Sequence, residues 1–592
     1  MNYFVYDHDQ GASEESKPGK YQKVRRKGRR SKKRKRDGLG LKLLSVLLSI
    51  LMICVLGLIW TMEPADPEEG EEGRGDIVID FEQIKDKFPT FDIDIDPFPG
   101  VAEGDDTPNE AKYSISTSSE YATQAGAAIL EAGGNAVDAA IAISYNLAVS
   151  EPYASGLGGG GCMVVYDPET EKFTFYNYGA EAPKSGGSWL VLVPGFVSGM
   201  EMIRQDFATM SYEQLLQSAL ECCDGVEINE NGAMRIQRAE SSLSKNSPFY
   251  GENGFLKEGD VLIQPELKQT LQQLIEEGPD SFYTGTIAQD IADATSLTLE
   301  DLAAYETTKT DAVVGTFGEY TVGAAGAPFS GATLIQMLKM AEMLELPDPD
   351  DDNVGFLSKL CKISQTAQYD RINHIYDYRF SHTPVDQNAS VTNSYIADLL
   401  GLDVSNFVEE EECEDTTGFT VVDQNGMVVA CTNTLSSFFG SKIFVDGFYM
   451  NNTGYLFGSG VNAYAAGKRP RTHISPAILI SDDEILAVAS PGGNCITRVL
   501  ANVVLDVCRF GEDYQTAIDK QRVIFLHGNV LYYESGYDTP LMVKVSGCGY
   551  SAVAYSYHSF FGNVSLSGYN DKLGFFAGED IRRCGSSLAS NG

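Results

Sequence analysis

One segment of the sequence, residues 415–440, constrains the fold more than any other. It reads DTTGFTVVDQNGMVVACTNTLSSFFG. Two runs rich in β-branched and apolar residues flank an Asn-Gly pair, which is a turn signal, so the segment predicts a β-hairpin. The first strand begins at Thr416-Thr417, directly after an acidic run over 409–415 that only Cys413 interrupts.

Thr416 can act as a nucleophile if the peptide bond before it is cut. The freed α-amine has a reference pKa of about 7.7–8.0, so near neutral pH it can accept the proton of its own side-chain hydroxyl. The alternative is that the Thr-Thr pair only begins a strand, because threonine favours strands. The segment alone supports both interpretations equally.

The charge is distributed unevenly along the 592 residues. The formal net charge is −39, but residues 1–37 hold 13 Lys and Arg against five Asp and Glu, which leaves a net charge of −47 on the remainder. A body this acidic repels phosphate backbones, which excludes nucleic acid as its partner. The length allows more than one domain, and 43% hydrophobic residues suit a globular core.

A membrane anchor is predicted between these two regions. Residues 41–62 are mostly apolar, with Lys42 as their only charged residue, and this length can span a bilayer core of about 30 Å as a helix. The basic cluster over 23–36 places the N-terminal side in the cytoplasm. A cleaved signal peptide is disfavoured because its apolar region is usually about 7–15 residues long and no small-x-small cleavage site follows here.

The expected organisation therefore has five parts. A basic cytoplasmic tail (1–37) and a single-pass anchor (38–62) in the cell membrane precede an acidic, proline-containing extracellular linker (63–110). The extracellular body follows as a region over 111–415 and a region over 416–592. At the start of the body, Ser118-Ser119-Glu120 predicts a helix through Leu130, and Asn135 is the expected N-cap of the next helix.

The cysteines do not predict a metal site. Eleven are present, ten of them after the anchor, and none has C-x-x-C spacing, which argues against zinc. Disulfides and free thiols are both compatible with this pattern.

Two glycine clusters have different contexts. GLGGGG over 156–161 formally satisfies G-x-G-x-x-G, but a helix is expected before it and a strand after it, which is the reverse of a dinucleotide-binding loop and indicates a structural turn. Pro491-Gly492-Gly493 follows a predicted strand and precedes a predicted helix. Amide groups at a helix start favour negative charge, so this turn is a candidate oxyanion hole. An ordinary strand-to-helix turn is the alternative, and this segment alone favours it.

Several separate segments together resemble the γ-glutamyltransferases, which are N-terminal-nucleophile (Ntn) hydrolases. They occur in the family's order from about Ala111 to the C-terminus. The matching segments are GGNAVDAAIAISYNLAVSEPYASGLGGGGCMVVYD (133–167), VPGFVSGMEMI (193–203), LTLEDLAAYE (297–306), GAPFSGATLIQML (326–338), the 415–440 segment, MNNTGYLF (450–457), KRPRTHISP (468–476) and SPGGNCITRVL (490–500).

The resemblance implies an α+β fold, a four-layer αββα sandwich, made as one precursor. Self-cleavage between Asp415 and Thr416 would leave two associated fragments and expose Thr416, which would form an acyl-enzyme with a γ-glutamyl amide. Thr434 matches the family threonine that hydrogen-bonds the nucleophile, and Gly492 and Gly493 match the oxyanion hole. The resemblance implies no metal or organic cofactor.

The predicted donor pocket departs from the family pattern. The arginine expected shortly before Ala182-Pro183 is missing from YGAEAP (178–183), and Gly418 stands where the family usually has histidine. Each lost charge-assisted hydrogen bond is worth about 1.5–3 kcal/mol, so a simple γ-glutamyl zwitterion would bind more weakly. Arg471 and His473 are candidates for new contacts to the donor. The positions of this sequence that fall in the predicted donor pocket are Ser436, Asn452, Thr453, Leu456, Arg471, Thr472 and His473.

Three functions are compatible with this pattern. The first is a surface-anchored, self-processed γ-glutamyltransferase-like enzyme whose donor need not be glutathione. Its donor is a small γ-glutamyl compound or a γ-linked peptide or polymer, and the altered pocket leaves room for poly-γ-glutamate or a peptidoglycan-related substrate, as in the capsule-depolymerase branch of the family. The second is a glutathione hydrolase or transpeptidase with a rebuilt glutamyl site. The third is a non-catalytic relative with a binding or structural role. Retention of Thr416, Thr434 and Gly492-Gly493 favours catalysis.

Overall fold

The computed structural model describes residues 111–383, 385–404, 407 and 415–592. The predicted basic tail, membrane anchor and acidic linker lie outside these residues, as does the acidic run over 409–414. None of the helices in the described part of the chain is both long and apolar enough to cross a bilayer. The nine cysteines found there as free thiols include Cys162 and Cys431, which are buried in the core.

The strands of the described residues form two large antiparallel sheets and several small ones. In chain order they are β1 (Lys112–Thr117), β2 (Gly160–Asp167), β3 (Lys172–Asn177), β4 (Val226–Glu227), β5 (Tyr250–Gly251), β6 (Gly254–Phe255), β7 (Val261–Leu262), β8 (Thr308–Asp311), β9 (Val313–Phe317), β10 (Tyr320–Ala324), β11 (Asp415–Asp423), β12 (Val428–Ser436), β13 (Phe444–Val445), β14 (Phe448–Tyr449), β15 (Ala477–Ile480), β16 (Glu484–Ala489), β17 (Val523–His527), β18 (Val530–Glu534), β19 (Ser551–Tyr555), β20 (Ser565–Asn570), β21 (Gly574–Gly578) and β22 (Ser586–Asn591).

The first large sheet has the order β22-β1-β11-β12-β2-β3-β8, and the second has the order β21-β20-β16-β15-β10-β9. The hairpin of β11 and β12 therefore lies in the middle of the first sheet. A smaller sheet contains β17, β18 and β19.

Helices accompany both sheets. Those in the described residues are α1 (Glu120–Glu131), α2 (Ala136–Ser150), α3 (Phe196–Phe207), α4 (Tyr212–Cys222), α5 (Glu230–Ala239), α6 (Pro265–Glu277), α7 (Ser281–Thr284), α8 (Thr286–Ala294), α9 (Leu299–Ala303), α10 (Gly331–Met343), α11 (Pro349–His374), α12 (Asn393–Leu400), α13 (Ile496–Cys508), α14 (Tyr514–Asp519) and α15 (Thr539–Gly547).

The two faces of the central hairpin contact different parts of the molecule. Val422 and Ala430 pack in one apolar core with Val488 of the second sheet, and the helices α10, α11 and α13 contribute to the same core. Phe419 and Cys431, whose side chains point to the opposite face, pack with α2 and its neighbouring helices. This alternation is expected of a strand buried on both faces. The body is thus a mixed α/β fold with sheets packed face to face and helices on their outer sides.

Local predictions agree with the structure. The hairpin forms as expected, with Gly426 at φ +82° in the turn. The predicted first helix is α1, and Asn135 caps α2 through a reciprocal capping box with Asp138. The 156–161 cluster is a turn that leads into β2, and a Cβ built on Gly159 would lie 2.3 Å from the carbonyl oxygen of Thr434. Glycine therefore lets this turn pack directly against the strand that carries Thr434.

Candidate active site

Thr416 lies at the start of the central hairpin. It pairs across the hairpin with Thr434, and the register shifts between Asp415 and Thr416, which marks a β-bulge at the predicted cleavage site. The Thr416 side chain is buried, with 2% exposure. Its hydroxyl makes no hydrogen bond to any residue that the structure describes. A buried hydroxyl without a partner is uncommon and calls for an explanation, such as a catalytic role.

Gly418 shows which way this face of the hairpin points. Because strand residues two apart share a face, Thr416 and Gly418 point toward the second sheet. A Cβ built on Gly418 would lie 3.2 Å from the amide nitrogen of Ser490, and the Ser565 hydroxyl donates to the Gly418 carbonyl at 2.9 Å. A side chain as large as histidine at this position would need Ser490 to shift by a few tenths of an ångström. Thr416 therefore faces the end of β16.

The Pro491-Gly492-Gly493 turn follows Ser490 directly. Gly492 has φ +133° and precedes a short 3₁₀ turn, Gly493–Cys495, which continues into α13. Amide groups at such a helical start have no acceptors inside the helix, so they are available to an anion. A Cβ on Gly492 would lie 3.1 Å from the Cα of Gly562, which explains the need for glycine. Two of the predicted elements, the nucleophile and the oxyanion turn, thus occupy the same end of the stacked sheets.

Thr434 is held in place by the backbone that follows it. Its Oγ1 accepts a hydrogen bond from the amide of Ser436 at 2.8 Å, and Ser436 adopts a left-handed φ of +79°. A hydrogen-bonded turn therefore follows Thr434 within β12, while Ser436 still pairs with Asp415. This local turn keeps the Thr434 side chain at the end of the hairpin, opposite Thr416.

A small cavity of about 20 Å³ lies beside Thr434. Its polar lining includes several of the predicted donor-pocket residues, and the hydroxyls of Ser436 and Thr453 are 2.7 Å apart. The full lining is Gly161, Gly179, Ala180, Pro328, Phe329, Thr434, Ser436, Thr453, Leu456, Arg469, Pro470, Thr472 and Ile474. The structure therefore brings Ser436, Thr453, Leu456 and Thr472 together beside the candidate catalytic hairpin.

The other predicted pocket residues are not among those that line this cavity. Asn452 uses its side chain to bind the backbone amide and hydroxyl of Ser437, at 3.0 Å each. Arg471 donates to the carbonyl oxygen of Ile372 at 2.8 Å, near the end of α11. His473 is fully buried and contacts the guanidinium of Arg371 in the same helix. The structure therefore places Arg471 and His473 against α11, and their binding of substrate remains a prediction.

Arg469 is a cavity residue that the sequence motifs did not single out. It is 1% exposed and donates to the carbonyl oxygens of Asn177 at 2.7 Å and Glu306 at 2.6 Å. Its Nε lies 3.3 Å from a carboxylate oxygen of Glu181. Glu181 also binds Arg379 at 2.8 Å, and although burial lowers the pKa of Arg379, Asp377 and then Glu181 raise it overall. The guanidinium of Arg469 is thus engaged by the protein itself. Its only signal in the sequence was its place in the KRPR run.

Glu151 is a second residue that sequence reasoning missed. Its carboxylate is buried behind the hairpin and accepts hydrogen bonds from Ser118, Thr417 and Tyr153. Burial raises its pKa, and the three hydroxyl donors oppose that effect. No sequence motif indicated that Ser118, Glu151 and Thr417 would meet.

The fold defines the class. Cephalosporin acylase from Bacillus halodurans has a similar structure, with a TM-score of 0.73 and 21% identity, and the match covers 83% of this chain and 99% of the acylase. At this identity the likeness concerns the fold alone. The two proteins thus share one class of fold, and in this chain a threonine lies at the start of its central hairpin.

The family follows from the sequence comparisons. Residues 122–590 match the gamma-glutamyltranspeptidase family, and the chain belongs to that family. The capsule biosynthesis protein CapD proenzyme of Bacillus anthracis is 35% identical, over 77% of this chain and 86% of that protein. The glutathione hydrolase proenzyme of Bacillus subtilis is 29% identical, over 81% of this chain and 91% of that protein. The relatives are enzymes made as proenzymes, and the predicted family is confirmed.

Proposed function

We propose that this protein cuts its own chain between Asp415 and Thr416 and then moves γ-glutamyl groups through an acyl-enzyme on Thr416. The observation that carries the proposal is the buried Thr416 hydroxyl, which has no hydrogen-bond partner among the described residues. It lies opposite Thr434 and on the same hairpin face as Gly418, which packs against Ser490 just before the Gly492 turn. The αββα layer order of Ntn hydrolases supports the same proposal.

Self-cleavage is the first step. The Thr416 oxygen attacks the carbonyl carbon of Asp415, the C–N bond breaks, and the Asp415 acyl group moves from nitrogen to oxygen as an ester. Water then hydrolyses the ester, which regenerates the hydroxyl and leaves a free α-amine on Thr416. The register shift at this peptide bond supports the assignment, because Asp415 pairs with Ser436 and Thr416 with Thr434, so the ladder is irregular where Asp415 and Thr416 join.

Acyl transfer is the second step. The α-amine of Thr416 accepts the proton of its hydroxyl as the oxygen attacks the γ-carbonyl of the donor. The amide groups at Gly492 and Gly493 would stabilise the oxyanion, and Thr434 would orient the nucleophile. The leaving amine departs with a proton, and water or an acceptor amine then resolves the ester to give hydrolysis or transpeptidation.

The donor we propose is a γ-linked glutamyl peptide or polymer, with glutathione as the alternative. The cavity beside Thr434 has hydroxyl groups at its predicted donor positions, and its arginine is engaged by Glu181 and two carbonyl groups. A free amino acid zwitterion therefore finds few charged partners there. The name of the Bacillus anthracis relative, a capsule biosynthesis protein, favours a cell-surface substrate. We further propose that residues 38–62 anchor the enzyme in the cell membrane.

The test uses the full-length chain in detergent. Cleavage should produce a fragment of 177 residues (416–592) that begins Thr-Thr-Gly-Phe, as read by mass spectrometry. Thr416→Ala should remain a single folded chain, while Thr416→Ser should still cleave. The cleaved enzyme should then release glutamate from poly-γ-glutamate or a γ-linked cell-wall peptide faster than from glutathione. A wild-type chain that stays intact would instead support the non-catalytic alternative, and a preference for glutathione would support the second one.

A further inference from the structure

Glu151 lies at the centre of a buried group of hydroxyls directly behind the candidate nucleophile. The residue follows the last turn of α2 and is 3% exposed. One carboxylate oxygen, Oε2, accepts from the Ser118 hydroxyl at 2.5 Å and from the Thr417 hydroxyl at 2.6 Å. The other, Oε1, accepts from the Tyr153 hydroxyl at 3.1 Å. The Ser118 and Thr417 hydroxyls also contact each other.

This group joins the two sides of the proposed cleavage site. Ser118 and Glu151 belong to the part of the chain before Asp415, whereas Thr417 belongs to the part after it. Ser118 is 299 residues from Thr417 in sequence, and Glu151 is 266 residues from it. After cleavage these hydrogen bonds would tie the new N-terminal strand to the ends of two helices in the other fragment.

The backbone at Thr416 would be less restrained after cleavage than that of a residue inside a strand. Asp415 precedes Thr416 in β11 and pairs with Ser436 across the register shift, so cleavage would detach that neighbour and turn Thr416 into a chain end. Chain ends fray unless they are held down. Because Thr417 points to the helix side while Thr416 points to the second sheet, holding the Thr417 side chain fixes the backbone from which the Thr416 hydroxyl projects.

We propose that Glu151 and Ser118 are positioning residues, which hold Thr417 and thereby set the direction of the Thr416 hydroxyl for attack. This inference rests on the proposed function, since it concerns the same nucleophile. A misplacement of about 1 Å at a reacting group can slow a reaction on the order of 100-fold, so loss of the hold should affect rate more than stability.

Self-cleavage is the measurement because it requires no knowledge of the donor. We would translate the full-length chain in a cell-free system with detergent micelles and follow the appearance of the 177-residue fragment after a pulse of label. Thr417→Val keeps the shape of the side chain but removes its hydroxyl, and we expect cleavage to slow by about tenfold or more. Thr417→Ser keeps the hydroxyl and should restore a rate within about threefold of wild type.

Ser116→Ala is the matched control. Ser116 lies on the neighbouring strand β1, is equally buried, and donates to the carbonyl oxygen of Gly578 at 2.7 Å without touching Thr417 or Glu151. Its removal should cost similar stability but leave the cleavage rate unchanged. Melting temperatures are compared in a Thr416→Ala background, so that all variants remain uncleaved and share one covalent state.

The outcomes separate this inference from the proposed function. A wild-type chain that does not cleave contradicts the proposed function itself. If the wild-type chain cleaves and Thr417→Val cleaves equally fast, the positioning role alone is overturned. The same holds if Thr417→Val cleaves more slowly but Ser116→Ala is slowed to the same extent. If Thr417→Val does not fold, Ser118→Ala provides the second variant, because it leaves the bond between Thr417 and Glu151 in place. Cleavage by Ser118→Ala at least about threefold slower than by Ser116→Ala supports the role, and an equal rate overturns it.

Discussion

Thr416 and Thr434 lie directly opposite each other at the start of the central hairpin, one residue after a break in its register. Thr434 is anchored through its Oγ1 to the amide of Ser436, whereas the Thr416 hydroxyl has no hydrogen-bond partner in the described part of the chain. One threonine is therefore fixed and the other is available. This relationship is what a nucleophile and its orienting partner require.

Replacing Thr434 by valine should separate processing from turnover. Thr434→Val removes the hydroxyl with little change in shape, so the chain should still cleave while kcat of acyl transfer falls by about 10- to 100-fold and KM changes little. Steady-state kinetics on the cleaved enzyme measure this. Thr432→Val is the control, because the Thr432 hydroxyl on the same face of β12 makes no hydrogen bond within the described residues. An unchanged kcat in Thr434→Val would falsify the orienting role.

Gly492→Ala should damage both self-cleavage and transfer. A side chain at φ +133° is strained by about 1–3 kcal/mol, and its Cβ would approach the Cα of Gly562 at 3.1 Å. Displacing one oxyanion donor should lower the rate on the order of 100- to 1,000-fold. The rate at which the 177-residue fragment appears measures the effect on self-cleavage.

Gly133→Ala is the comparison for strain alone. Gly133 has φ +91° and open space where a Cβ would lie, so this variant should lower the melting temperature but leave the cleavage rate near wild type. Equal loss of cleavage in both variants would argue for a general stability effect at Gly492.

The donor pocket should discriminate against simple γ-glutamyl compounds. We expect weak hydrolysis of a γ-glutamyl anilide by the cleaved enzyme, and Leu456→Asp alone should not restore it. An added carboxylate at position 456 could bind the α-amine of the donor, but Arg469 is engaged by Glu181 and backbone carbonyls and leaves the α-carboxylate without a cation in the cavity. One missing charge-assisted bond corresponds to about 1.5–3 kcal/mol. High wild-type activity on the anilide would favour the glutathione alternative.

Topology at the membrane can be checked on intact cells. The predicted anchor at 41–62 with basic residues on its N-terminal side places the body outside, so added protease should remove residues beyond about position 63. A tag at Met1 should stay protected until the cells are lysed. Digestion of that tag in intact cells would show that the predicted orientation is wrong.

The sequence by itself determined the local features of this protein. The Asn-Gly hairpin, the capping box of Asn135 and the glycine turn before α13 all depend on interactions between residues a few positions apart, and each forms as predicted. Separately, the order of the family segments identified Thr416 as the candidate nucleophile. Such signals survive in sequence because turn and capping preferences are properties of short peptides.

Only the tertiary structure decided which distant side chains meet. Stacking the two sheets placed the Gly418 face of the hairpin against Ser490, and packing helices on the other face brought Glu151 to Thr417. It also placed Arg471 against α11, while Arg469 lined the cavity. In each case the partners are tens to hundreds of residues apart, and a strand's alternation shows only that neighbouring side chains face opposite sides. Which residues contact each face of the strand depends on how the layers pack.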